Sequence, residues 1–276
     1  MAAKGVRTMI NLGKHNLLGI GIDAVDYEAA VEKIIGAAKK RRSFTVSALA
    51  VHGVMTGVLD QAHGARLNQL DLVVPDGQPV RWALNHLYNL KLTDRVYGPT
   101  LTLKVCKQAA AEGLPIYLYG SKLAVLETLR TNLQAQFPDL QIVGMQPSLF
   151  RQVTDDEKRT IADSIRSSGA AIVLVGLGCP RQEVWIYEYR NLINLPMLAV
   201  GAAFDFHAGT QSQAPEYLQK RGLEWFYRLV HEPRRLWRRY LLLNPLYLLL
   251  VAKQALHLQE FPLTKNQQPL EELRYG

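Results

Sequence analysis

Asp76 closes the apolar run LDLVVPDG (residues 70–77) and is followed directly by Gly77. A carboxylate at a strand end facing a cleft can serve as a general base or hold a ribose or sugar hydroxyl, while Asp-Gly is equally ordinary turn chemistry. A second stretch, GLGCPRQE (176–183), sets Gly178 ahead of a proline suited to a helix start and carries Gln182 just inside it. Free backbone N–H groups there can cradle a phosphate or nucleotide. The stretch lacks the third glycine of the dinucleotide fingerprint, and a plain tight turn reads the same way. In a third, GAAFDFHAGTQSQAP (201–215), Asp205 can orient a hydroxyl or an arginine, or cap a turn between core anchors Phe204 and Phe206.

No Asp-x-Asp triplet occurs in the chain. If a diphosphate leaves here, arginines and helix N-termini must neutralise it. Arg95 lies in TDRVYGPT (93–100), and Arg228, Arg235 and Arg238 lie in EWFYRLVHEPRRLWRRY (224–240). Their spacings of seven and three let the last three share a helical face, with Pro233 breaking the segment into two helices. Trp225, Phe226, Trp237 and Tyr240 interleave with these arginines. That mixture suits an interfacial helix at anionic lipid, against the alternative of a solvated basic face. His52, His63, His86 and His207 show no metal-ligand pattern, and Cys106 and Cys179 lie far apart. Neither a metal site, a cofactor nor a disulfide framework is expected, and a reducing compartment fits best.

The elements that must position these groups follow from hydrophobic periodicity. Short runs that are apolar on both faces span 44–51, 70–75, 115–119, 171–175 and 196–200, each ending at a turn, as buried parallel strands do. Between them, Tyr27, Val31, Ile34, Ile35 and Ala38 share a helical face behind an Asp26 N-cap, and Thr154 with Glu157 spells a capping box. The pattern predicts an α/β fold: a Rossmann-like parallel-sheet body, residues 1–221, and a basic helical C-terminal appendage, residues 222–276. Ligands of such sheets bind outside the carboxyl ends of the strands. Asp76-Gly77, Gly120-Ser121, 176–182 and 201–209 should therefore line one rim.

The chain has 276 residues, 48% hydrophobic and 20% charged, which suits a folded body and excludes a disordered or fibrous one. Of the net charge of +8, much is concentrated between Lys220 and Arg239, where seven basic residues meet only Glu224 and Glu232. Such clustering calls for a partner rich in phosphate. The first twenty residues lack the apolar core of a secretory signal, and the apolar run at 240–252 is too short for a spanning helix, which needs about 20 residues.

Taken together and in order, VVPDG, DRVYG, YLYGS, VGLGCPRQEVW, VGAAFDFHAGTQSQAP and GLEWFYRLVHEPRRLWRRY resemble the WecG/TagA/CpsF glycosyltransferases (family 26) over roughly residues 70–240. The resemblance implies inverting transfer of N-acetylmannosamine or a related sugar. The donor would be a UDP-sugar and the acceptor N-acetylglucosamine on undecaprenyl diphosphate. It makes Asp76 the base and gives donor or acceptor contacts to Arg95 and Gln182. It assigns Arg228, Arg235 and Arg238 to closing the site over the departing UDP. Gly120, Ser121, Gly178 and Asp205 are the remaining substrate-binding candidates. Location would be cytoplasmic, at the inner face of the plasma membrane, with no nucleic acid bound and a homo-oligomer compatible. The family's Thr-x-Asn pair falls here on Ala48 and Ala50. Two other classes stand against this reading. A nucleotide-dependent oxidoreductase lacks its complete glycine fingerprint, and a non-catalytic membrane or nucleic-acid module leaves the converging rim loops without purpose.

Overall fold

The structure is a computed structural model that describes residues 9–263, 269 and 271–276, without the side chains of Arg235 and Arg239. An antiparallel hairpin comes first, β1 (Asn11–Leu17) and β2 (Ile20–Val25), joined through Leu18 and Gly19, both at positive φ. It is followed by α1 (Tyr27–Lys39), β3 (Phe44–Leu49), α2 (Val51–Leu59), α3 (Gln61–Asn68), β4 (Leu72–Pro75), α4 (Gln78–Tyr88) and α5 (Gly98–Ala111). Then come β5 (Ile116–Gly120), α6 (Leu123–Gln136), β6 (Ile142–Gln146), α7 (Asp155–Ser167), β7 (Ile172–Gly176), α8 (Arg181–Ile193) and β8 (Pro196–Ala199). The chain continues as α9 (Ala203–His207), α10 (Glu216–Lys220), α11 (Glu224–His231) and α12 (Pro233–Ala255).

Strands β3 to β8 form one parallel sheet in the order β4-β3-β8-β7-β5-β6, the Rossmann-like layer expected from the sequence. Its strands are apolar on both faces because each face has its own core. Val73, Tyr117, Tyr119, Val173, Val175, Met197 and Ala199 join the core shared with the hairpin, α2, α8 and α12. Their alternate neighbours Leu72, Val74, Ile116, Leu118, Ile172, Leu174 and Leu198 join the core shared with α1, α5 and α6. Asp26 caps α1 by accepting from the Ala29 N–H at 2.9 Å, and Thr154 and Glu157 form the reciprocal box at the start of α7.

The apolar pattern of the sequence does not reveal β6 or the β1–β2 hairpin. Strand β6 is an edge, half-exposed and centred on Gly144, so it carries no continuous apolar run. The hairpin is tied to the sheet through Asp23, which accepts from the Val73 N–H at 2.7 Å and lies 3.6 Å from the Lys14 ammonium. A glycine and a buried acid inside IGIDAV disguise that strand.

At the C-terminal end, α11 and α12 meet at Glu232, whose extended φ of −131° and ψ of 55° interrupts the helix just before Pro233. Arg228 therefore belongs to one helix and Arg235 and Arg238 to the next; a single helical face does not carry all three. Helix α12 lies on α2 and α4. It buries Leu236 and Tyr247, and the Tyr247 hydroxyl donates to the Pro79 carbonyl at 3.1 Å. Residues 271–276 return to the body, where the Glu188 carboxylate accepts the Leu273 and Arg274 N–H groups at 2.7 and 3.0 Å.

Candidate active site

A cleft of about 810 Å³ opens at the carboxyl ends of β3, β4, β5, β7 and β8 and is roofed by α11 and α12. Asp76, Arg95, Ser121, Gly178, Gln182, Asp205 and Arg228 all line it. The segments after the strands converge there because every strand of the sheet points the same way, so every strand-to-helix turn lands on one rim.

Asp76 begins the turn out of β4. Its backbone N–H donates to the Leu49 carbonyl at 3.2 Å, and its Oδ1 accepts the Gly98 N–H at the N-terminus of α5 at 3.2 Å. Burial pushes the carboxyl up to about 7 against the attraction of Arg95; Glu224 raises it further, while the Gly98 bond and Arg228 pull it down. A carboxylate with a proton affinity near neutrality is suited to taking a proton from a hydroxyl and releasing it again.

Arg95 is buried, 7% exposed. It donates to Glu224 Oε2 at 2.8 Å and Gln219 Oε1 at 3.0 Å, and its guanidinium sits 4.0 Å from the centroid of the Tyr97 ring. The Tyr97 hydroxyl donates to the other oxygen of Glu224 at 3.1 Å. Glu224 thus fastens α11 to the segment after β4. In the sequence Glu224 is an offset to the basic run, and Tyr97 a residue of the DRVYG stretch. Nothing local could have paired residues this far apart in the chain.

The phosphate-cradle stretch is held by its own side chains. Gln182 Oε1 accepts the Gly178 N–H at 3.1 Å, and Gln182 Nε2 donates to Glu183 Oε1 at 2.8 Å. The Ser47 hydroxyl on β3 donates to the same Glu183 oxygen at 3.1 Å. Gly178 has φ +77°, so the glycine is needed for the turn itself. Helix α8 is anchored below by a buried stack: Tyr119 on Trp185 at 4.5 Å between ring centroids, and Trp185 on Tyr189 at 4.2 Å.

Asp205 sits in the short α9, where its Oδ1 accepts from the Thr210 hydroxyl at 3.3 Å. Arg228 reaches into the cleft 5.9 Å from the Phe206 ring centroid, and its Nε is buried without a hydrogen-bond partner. A guanidinium nitrogen in that state is ready to donate to an anion.

The other candidates lie elsewhere. Gly120 lies under the cleft wall, where a Cβ would stand 2.7 Å from the Gly176 carbonyl oxygen; its role is to let the ends of β5 and β7 close. Arg238 is exposed on α12, its guanidinium 5.2 Å from the Trp237 ring centroid, because that face of the helix turns away from the rim. Arg235 lies on the backbone of α12, with its side chain outside the described residues. Ala48 and Ala50 line the cleft, and Ala50 is the N-cap of α2 with no side-chain hydrogen bond.

Compared with known protein families, residues 15–260 match the family model described as the glycosyl transferase WecG/TagA/CpsF family.

Proposed function

The chain belongs to the WecG/TagA/CpsF glycosyl transferases, enzymes of cell-surface polysaccharide synthesis that use a sugar-nucleotide donor and a sugar acceptor, and on that premise we propose an inverting, base-assisted transfer centred on Asp76. The donor is a UDP-linked N-acetylmannosamine or related sugar, and the acceptor is N-acetylglucosamine on undecaprenyl diphosphate. The Asp76 carboxylate takes the proton of the acceptor hydroxyl as its oxygen bonds to the anomeric carbon from the opposite face. The bond from that carbon to the β-phosphate oxygen breaks, and its electron pair leaves with UDP. Arg228, with its unpartnered Nε, receives the charge that develops on the diphosphate. Arg238 would join Arg228 on a diphosphate only after α12 shifts inward. Gln182 keeps the cradle in shape through its bonds to Gly178 and Glu183.

The observation that carries this reading is the Asp76 carboxyl, held in the cleft wall by the Gly98 N–H with its proton affinity raised to about 7.

The C-terminal segment from residue 222 is proposed to bring the enzyme to the membrane that holds its lipid-linked acceptor. Phe226, Val230, Trp237, Leu241 and Leu242 are exposed on α11 and α12 beside Arg234 and Arg238, the composition of a helix pair that lies in an anionic interface. Among the described residues no helix is long and apolar enough to cross a membrane.

The test is mass spectrometry of a lipid-linked N-acetylglucosamine acceptor after incubation with a panel of UDP-sugars. The acceptor gains one N-acetylhexosamine with wild-type enzyme and none with Asp76→Asn, while that variant still binds the donor. Full turnover by Asp76→Asn removes the base from this mechanism.

A further inference from the structure

Behind the cradle loop the fold assembles three side chains that the transfer reaction does not use for its chemistry. His63 comes from α3, Cys179 from the loop after β7, and Glu183 from the first turn of α8. A ring nitrogen of His63, the Cys179 sulfur and a Glu183 carboxylate oxygen all lie within 4.8 Å of one another. The sequence offers no hint of this, since His63 is more than a hundred residues from the other two and no ligand spacing exists to read.

Two of the three groups are buried with unused donor or acceptor capacity. His63 is 2% exposed, and neither ring nitrogen has a hydrogen-bond partner. Glu183 is fully buried. Its Oε1 receives the Ser47 hydroxyl and the Gln182 amide, and its Oε2 receives no hydrogen bond that meets ordinary geometry, although the Cys179 thiol lies against the carboxylate. Buried polar side chains are ordinarily satisfied, and an imidazole with both nitrogens idle beside a carboxylate and a thiol calls for a ligand.

We propose that His63, Cys179 and Glu183 form a binding site for a divalent cation of the zinc class. One imidazole nitrogen, one thiolate and one carboxylate oxygen are the donor types zinc accepts, with water in the fourth position of a tetrahedron. Calcium and magnesium take oxygen ligands and do not fit this set. Binding displaces the Cys179 thiol proton to solvent, and the anionic sulfur and carboxylate then face the cation instead of each other. The ion joins α3 to the loop that leads into α8. Gln182 links Glu183 Oε1 to the Gly178 N–H, so the metal would fix the back of the cradle while Cys179 forms part of the cleft wall. This inference is independent of the identity of the transferred sugar.

The full-length chain, freed of metal by chelation, is titrated with cobalt(II) chloride and the cobalt is then displaced with zinc chloride. The expected result is one equivalent bound, with a near-ultraviolet thiolate-to-cobalt band and the visible bands of tetrahedral cobalt, both abolished by zinc. Cys179→Ser, at a partly exposed position, keeps its circular dichroism and loses the thiolate band. Its cobalt affinity falls by more than about tenfold, the scale reached even by removing an outer-shell partner. Glu183→Gln, which retains an acceptor for Ser47, keeps the thiolate band at weakened affinity. Folded wild-type protein with no thiolate band overturns the proposal, as does a Cys179→Ser titration that matches wild type.

Discussion

Asp76 couples the proposed chemistry to stability through one proton. Its folded-state affinity is about 7 against an ordinary value of 3.8, with burial as the first cause. As the base of the free enzyme, it makes kcat/KM rise with pH through about 7, and a pH–rate profile reads that limb directly. The stability effect runs the other way. A raised carboxyl binds its proton more tightly folded than unfolded, so its contribution is complete below about 4 and is lost as pH rises through about 7. Asp76→Asn cannot ionise and escapes that loss. Its melting temperature, relative to wild type, is expected to be higher at pH 8 than at pH 4 by differential scanning calorimetry; an equal offset at both pH values would mean that the carboxyl is not strained by burial.

Between elements, the decisive contact is the one from α11 to the segment after β4. Glu224 raises the proton affinity of Asp76 while neutralising Arg95, which lowers it. Glu224→Gln removes the first influence and frees the guanidinium for the second. The ascending limb of the pH–rate profile is expected to move toward lower pH, and chemical denaturation to show a loss of up to about 3 kcal/mol, the lower range for breaking a buried pair. A limb that stays at the wild-type position would show that α11 does not tune the base. This coupling also marks where sequence reading stops. The strand ends carrying Asp76, Gly178 and Asp205 were visible because apolar runs and turn residues are local signals, and a parallel sheet then brings them to one rim. Arg95 and Tyr97 were visible as motif residues, but the acid they share was not, because pairing across 129 and 127 positions leaves no periodic trace. The edge strand β6 and the hairpin escaped for a different reason: partial exposure and a buried acid interrupt the apolar pattern on which strand recognition depends.

At the scale of the whole molecule, α12 has two dissimilar sides. Leu236 and Tyr247 are buried against the body, while Trp237, Leu241, Leu242, Leu248 and Leu249 face outward. The basic run was legible in the sequence; the division of its aromatic and leucine residues between body and surface was not, because both sides are apolar. Co-sedimentation with vesicles containing anionic lipid is expected to fall several-fold for Trp237→Ser with Leu241→Ser, and to weaken with salt as surface charge is screened. Binding that is unchanged in the double variant would take the membrane role away from this face.

Each strand of the sheet except the edge strand β6 feeds two cores by turns, one residue to the hairpin side and the next to the α1–α5 side. A single inserted or deleted residue within a strand would therefore exchange the occupants of both cores at once, and the layer has no slack to absorb it. Changes of length are confined to the connections beyond the strand ends, and those connections are where Ala50, Ser121 and Thr210 meet the cleft. Substrate range can drift, in evolution or by engineering, without renegotiating the architecture, and a search for altered donor preference is best limited to those few segments.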